Sequence, residues 1–432
     1  MRAPRRKPAR RKRLCGRGPP SAASIGTPIA WPWDRRLPIA LRHPAAWEQS
    51  AGLVARRTEW PAMAKLAQRA EAGGTQVMVS STAAPAAAPL GVALVGTGLA
   101  AAMHTAALRL VPGAEIRGVV GTSAGKAEAC AQRLSLPRAY RDLDECLADP
   151  QVRVVHICTP PHTHPDLAQR IAAAGRNILI DKPLARTVAE ADRIIAACAR
   201  SGVMLCGLFQ HRNIPLCRSV KTAVDQGRLG RIYLADCFVK WWRTDEYYRD
   251  SSWRARRATE GGGALINQAI HSIDLLQWLA GPVVEVAGYT TTAAHAIETE
   301  DVGVAVLRLA GGAVGVLEGT TAAYPGFPER IEIHGTAGSV VVDEGRRRVE
   351  WYLRGQEPRI EQEGVQQGNA ADPAAVSPEA HAAAFADFLD SVRTGRPPTV
   401  DGHAARKALE VVEAVYRSSA QGGRPVYLPL SP

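Results

Sequence analysis

Val92-Ala93-Leu94-Val95-Gly96-Thr97-Gly98-Leu99-Ala100-Ala101 decides the fold. The apolar run at its start reads as a buried strand, and the Ala-rich stretch that follows, to about Leu110, reads as a helix. Between them lies a Gly-x-Gly-x-x-Ala turn in the strand–turn–helix setting where that pattern binds a dinucleotide. Gly96 permits the tight turn, Gly98 lets the backbone approach a pyrophosphate, and the small Ala101 lets helix pack on strand. The helix amino terminus offers free N–H groups and the positive end of a dipole to phosphate. Gly96, Thr97, Gly98, Leu99 and Ala100 are therefore expected to line a cofactor.

Reading outward, the next strand covers Glu115–Val120, and an acidic residue at its end would hold the ribose hydroxyls of NAD. Gly121 stands there instead, followed by Thr122, Ser123 and Lys126. Small hydroxyl residues with a cation nearby suit a 2′-phosphate better than a 2′-hydroxyl, so the expected cofactor is NAD or NADP with a slight lean to NADP. Helices near Ala124–Leu134 and Leu143–Ala148 precede a strand at Val152–Cys158, which Thr159-Pro160-Pro161-His162-Thr163-His164 closes. A helix over Asp166–Ala174 leads to the apolar run Asn177–Ile180, and then to Asp181-Lys182-Pro183. A lysine leaving the carboxyl end of a buried strand sits where open α/β sheets bind ligands. The proline fixes φ, stops the strand and aims the lysine. With a helix at Ala189–Arg200 and a strand at Val203–Leu208, the pattern predicts six strands joined by helical crossovers, five of them placed above, in a doubly wound parallel sheet.

Composition narrows the remaining choices. The 432 residues have room for two or three domains, and no apolar run approaches the roughly eighteen residues of a membrane span. The net charge of +12 is concentrated at one end: residues 1–77 carry 16 Lys+Arg and 4 Asp+Glu, and the rest carry 37 of each sign. A neutral folded part gives no reason to expect nucleic acid as partner. Residues 1–88 are basic and of low complexity, and they are expected to be disordered or an upstream extension, since Met63 and Met78 offer later starts. Targeting or a binding arm are the other readings of that segment. The eight cysteines form no Cys-x-x-Cys pair and show no metal-ligand spacing, and reduced, buried thiols in a cytoplasmic protein are the reading that follows.

Past Gln210 the pattern changes, so a Rossmann domain is expected over 89–210 and a second, α+β domain over 211–432. A helix near Leu216–Asp225 and a long strand at Ile232–Trp242 open it. Trp241-Trp242-Arg243, Tyr247-Tyr248 and Trp253-Arg254 then crowd a loop, either as structural cover for a sheet or as a substrate wall. In the helix expected over Ala264–Leu279, Asn267, His271 and Asp274 are four and three residues apart and share a face. His-x-x-Asp is half a metal site, but no third ligand is evident and none is expected. Beyond Gly281, alternation predicts strands at Val283–Tyr289, Asp301–Leu309, Ala313–Thr320, Arg330–His334, Ser339–Asp343 and Val349–Tyr352, with a hairpin at Gly311-Gly312. They form a large, open, mostly antiparallel sheet. Gly355–Pro378 reads as loop, and helices at His381–Thr394 and His403–Ser419 pack back, the last against the first domain.

The Gly-x-Gly-x-x-Ala turn, the Thr-Pro-Pro-His-x-His turn, Asp181-Lys182-Pro183 and the stretch GGGALINQAIHSIDLLQWLAG over residues 261–281 together resemble the Gfo/Idh/MocA oxidoreductases. The resemblance covers about residues 90–430. It implies a Rossmann domain holding NAD(P), and a sugar, inositol or related cyclic polyol on the second domain, oxidised at a secondary alcohol or reduced at a ketone. Lys182 and His271 would be the proton-transfer pair with Asn267 beside them, and the Lys182–Pro183 bond would be cis. Thr159, Pro160, His164, Asp181 and Lys182 would complete the cofactor site. Lys182, Arg212, Trp253, Asn267, His271 and Asp274 would meet substrate. The free face of the second sheet would make a homodimer or homotetramer. Two residues depart from the family pattern: Asp181 shortens a usual Glu, and Asn267 replaces an Asp that many members carry. An amide hydrogen-bonds a hydroxyl but takes no proton, so the burden falls on Lys182 and His271. The rival readings are a lyase, isomerase or hydrolase using bound NAD transiently, and a non-catalytic dinucleotide or ligand sensor.

Overall fold

Strand β1 (Leu90–Val95) is buried along almost its whole length, as its uninterrupted apolar sequence requires of a strand covered on both faces. The structure, a computed structural model, describes residues 88–343, 347–363 and 378–431. The expectation for 1–88 thus lies outside the described residues except at 88. From β1 the chain passes through α1 (Leu99–Arg109), β2 (Ala114–Val120), α2 (Ala124–Arg133), β3 (Ala139–Tyr140), α3 (Leu143–Ala148) and β4 (Val152–Ile157). It continues through α4 (His164–Ala173), β5 (Asn177–Asp181), α5 (Val188–Ser201) and β6 (Leu205–Leu208). These strands form a parallel sheet in the order β3-β2-β1-β4-β5-β6. The order reverses between β1 and β4, and the carboxyl ends there flank the crevice in which such sheets take their ligands.

Helix α6 (Pro215–Asp225) leads to β7 (Ile232–Lys240) and the short α7 (Asp245–Arg249). The substrate helix expected over Ala264–Leu279 starts differently: Leu265–Ala269 is a π-turn, and α8 proper is Ile270–Ala280. A wide turn of this kind breaks the regular i→i−4 ladder and recurs at functional sites. The second sheet then adds β8 (Val283–Thr291), β9 (Val302–Leu309), β10 (Val314–Thr320), β11 (Arg330–Gly335), β12 (Gly338–Asp343), β13 (Arg348–Leu353) and β14 (Arg359–Gln362). After α9 (Pro378–Thr394) and α10 (Gly402–Ala420), the short β15 (Val426–Tyr427) completes the order β14-β13-β12-β11-β7-β10-β9-β8-β15. Among the described residues of this second sheet, only β7 and β10 pair in parallel. Strand β14 corrects the loop expected from Gly355, where Arg359 to Gln362 pair with β13. Strand β9 alternates buried and exposed residues, turning Val304 and Val306 outward. Tyr289 stands opposite Val304 on β8.

The last two helices tie the sheets together. Phe385, Phe388 and Leu389 of α9 share one buried cluster with Ala101, Ala107 and Leu108 of α1. Helix α10 fits against β6, where a Cβ on Gly207 would lie 2.5 Å from that of Ala405. Arg406 of α10 pairs with Asp192 of α5 at 2.6 Å. All the described residues fall in one compact unit. Among them no helix is long and apolar enough to cross a membrane. The seven cysteines from Cys130 to Cys237 are buried and outside any disulfide.

Candidate active site

The turn after β1 has the form a dinucleotide needs. Gly96 adopts φ +130°, and a Cβ on it would come within 2.6 Å of the Cys158 carbonyl oxygen. Gly98 is required by neither cause: its φ of −81° is open to any residue, and a Cβ would meet nothing within 4 Å. The space left open beside Gly98 suits the backbone approach of a pyrophosphate. Gly98 is also the amino-terminal cap of α1 and makes no side-chain cap bond, leaving the first N–H groups of the helix to a ligand. Ala101 is fully buried, as the helix–strand contact requires. Leu99 and Ala100 follow at the first turn.

At the end of β2, a Cβ on Gly121 would fall 2.8 Å from the Ala127 nitrogen, so a carboxylate has no place in this loop as folded. Ser123 caps α2, its Oγ accepting from the Lys126 N–H at 3.4 Å, and so the hydroxyl has a structural use beside Thr122. Arg133, which no motif of the sequence singles out, donates to the Thr97 carbonyl at 3.0 Å. It lies 36 residues from Thr97 in the chain, and no local pattern could have joined them.

The turn after β4 is held by its own residues. Thr159 and Thr163 share a hydrogen bond at 2.6 Å, and Thr163 also donates to the Pro160 carbonyl. His164, expected at the cofactor, is instead buried with Nε2 2.8 Å from the Thr159 oxygen and Nδ1 3.1 Å from the Pro183 oxygen. Its ring fastens the β4 turn to the β5 turn. Among the described residues one trio has ligand-like spacing, His104, His156 and Cys158. Its two rings bond one another at 2.7 Å, and His156 also bonds the Leu179 carbonyl.

Lys182 follows β5 across a cis bond to Pro183, and its backbone N–H is held by the Asp181 carboxylate at 2.8 Å. Its Nζ reaches the second half of the fold, donating to the Asn267 carbonyl at 2.6 Å and to Asn267 Oδ1 at 3.1 Å. Burial lowers its pKa, while Asp181 and Glu260 oppose the shift. Asn267 Nδ2 in turn donates to Glu260, a residue absent from the sequence-based expectations although it directly precedes the Gly261–Gly263 run. Burial raises the Glu260 carboxyl to about 7.

His271 stacks on His211 at 4.7 Å, and its Nδ1 is buried without a hydrogen-bond partner. Burial, His211 and Lys182 hold its pKa well below the usual value, so the ring is neutral. Arg254 lies over the rings of Tyr247 and Trp253 and lowers the Lys182 pKa, as Arg243 also does. Arg212 and Asp274 engage one another. They face each other in a two-pronged ion pair, at 2.7 and 2.6 Å, with side chains 8% and 1% exposed. Asp274 thereby anchors α8 to the segment after β6.

With these features in place, the comparisons assign the class. A model described as "Oxidoreductase family, NAD-binding Rossmann fold" matches residues 90–208, and the GFO/IDH/MocA C-terminal domain matches 217–341. The chain belongs to the Gfo/Idh/MocA family of NAD-binding oxidoreductases. It is 30% identical to levoglucosan dehydrogenase of Pseudarthrobacter phenanthrenivorans over 60% of this chain and 74% of that protein. Myo-inositol 2-dehydrogenase of Thermotoga maritima is 24% identical over 76% of this chain and 95% of its own length. The crystal structure of WlbA dehydrogenase from Bordetella pertussis, in complex with NADH and UDP-GlcNAcA, is 32% identical. It covers 80% of this chain and 99% of its own, with a TM-score of 0.71.

Proposed function

We propose that the chain transfers hydride between NAD(P) and a secondary alcohol or ketone of a sugar, inositol or related cyclic polyol. The observation that carries this is Lys182, from the carboxyl edge of the first sheet, bonding Asn267 one turn from the neutral His271. Bound nicotinamide supplies the hydride acceptor. Lys182 holds the substrate oxygen and lowers the cost of charge developing there. His271 takes the hydroxyl proton: unlike His164, its ring has a nitrogen that no backbone carbonyl holds. Trp253 gives a flat wall, and Arg254 and Arg243 favour a substrate with an acidic group. The NADP lean rests on Thr122 and Lys126, with Ser123 serving as a helix cap.

We further read the chain as a cytoplasmic homo-oligomer joined through the outward face of the second sheet, with its functional division near Gln210. A panel of neutral polyols, sugar acids and nucleotide sugars, run with NAD and with NADP at 340 nm, tests the reaction. Accumulating reduced cofactor is the expected result. Substrate conversion without net reduction, or tight dinucleotide binding without conversion of any compound, would overturn it.

A further inference from the structure

We propose that Glu260 is a positioning residue that locks the Asn267 amide with Oδ1 turned toward Lys182. The amide and the remote carboxylate then act together where a single acid is missing. This rests on Lys182 working in the cleft as proposed above.

The geometry leaves the amide one arrangement. A lysine ammonium has donors and no acceptor, so the atom facing it must be oxygen. The Asn267 nitrogen then needs an acceptor, and Glu260 Oε1 accepts its hydrogen bond. The other carboxyl oxygen accepts from the Ala255 N–H. Ala255 holds φ +56°, a left-handed conformation unusual for a residue with a side chain, and such outliers cluster where a loop is over-determined by its function. Glu260 is only 2% exposed, so it is no solvated surface acid.

The intervening glycines make the meeting possible. Gly261 adopts φ +95°, a Cβ on Gly262 would strike the Tyr416 hydroxyl at 2.0 Å, and one on Gly263 would strike the Glu300 carbonyl at 2.0 Å. The chain therefore folds back tightly enough to bring positions 260 and 267 together. Glu300 pins the far side, accepting from the N–H groups of Gly263 and Leu265 at 3.0 Å.

The lock depends on ionisation. Ionised Glu260 accepts from the amide nitrogen; protonated, it offers an O–H that competes for Oδ1 and frees the amide to turn. The carboxyl titrates near neutrality because burial raises it, while the Ala255 N–H, Asn267, Arg254 and Lys182 oppose the rise. Tyr248 and Tyr416 are the other titratable groups that feel its charge. The same charge raises the Lys182 pKa.

Exchanging the two groups tests this. Glu260→Gln should lower kcat by roughly tenfold or more with little change in KM, and move the pH profile of kcat/KM. Asn267→Asp alone sets two carboxylates face to face and should also lose activity. In the double variant, Glu260→Gln with Asn267→Asp, the amide and the carboxylate change places and the hydrogen bond between them is restored. It should recover to within about threefold of wild type, a coupling that independent sites do not show. Labelling of Lys182 by an acetylating reagent across pH, read by mass spectrometry on substrate-free protein, reports the same contact without turnover. Its midpoint should fall in Glu260→Gln and return in the double variant. An unshifted midpoint, a double variant no better than the product of the singles, or one that fails to fold would each overturn the proposal. Absence of turnover in wild type with the labelling shift intact would count against the dehydrogenase reading alone.

Discussion

A carboxyl that must be buried beside a lysine carries a cost that varies with pH, and Glu260 makes that cost measurable. Its pKa rises from the ordinary 4.5 to about 7 on folding. Between those values the folded state keeps a proton that the unfolded chain has lost, so this group's contribution to stability falls as pH rises through the window and is flat above it. The shift corresponds to about 3 kcal/mol at most. The stability of wild type relative to Glu260→Gln should therefore decline from about pH 4.5 to about pH 7 and level off above, as urea unfolding at several pH values would show. Parallel curves would contradict it. Lys182 and His271 are legible in the sequence because strand ends and helix faces are local patterns. His164 and Asp274 are legible as members of the right turn and helix, but each also bonds a group far along the chain, 19 and 62 residues away, which periodicity does not encode. Glu260 escapes a reading by motif because its relation to Asn267 runs through a tightly folded glycine loop that no spacing rule describes.

At the scale of elements, the glycines of the β1–α1 turn divide by cause. Gly96→Ala should destabilise the fold, since φ +130° and the Cys158 carbonyl both oppose a side chain. Gly98→Val should leave the unfolding midpoint nearly unchanged while weakening NADH binding by about tenfold or more, as quenching of protein fluorescence would report. Equal affinity in the Gly98 variant would remove the cofactor from that turn. The sequence carried most elements of both sheets because buried parallel strands and half-exposed antiparallel strands have different hydropathy patterns. It did not show the π-turn at Leu265–Ala269, since a wide turn and an α-turn bury the same apolar residues. Nor did it locate β3 or β15, whose two residues each are too short for any period to register.

The whole molecule joins its halves by hydrogen bonds at the Lys182 end of the first sheet as well as by packing. The first sheet supplies Lys182, the second half supplies Asn267 and His271, and α9 and α10 hold the two in place. The outward face of the second sheet carries Tyr289 at 63% and Val306 at 59% exposure. Exposed apolar surface on an open sheet favours a partner, and a second copy of this chain is the one we propose. Sedimentation velocity should find a dimer or tetramer that Val306→Glu dissociates, whereas a monomeric wild type would contradict the assembly. The central claim is that Lys182 serves the chemistry and leaves dinucleotide binding to the turn after β1. Lys182→Met, assayed at 340 nm beside a direct titration with NADH and NADPH, tests it most directly. Cofactor affinity should stay within about threefold of wild type while turnover falls about a thousandfold or more. Turnover near the wild-type rate in that variant would contradict it.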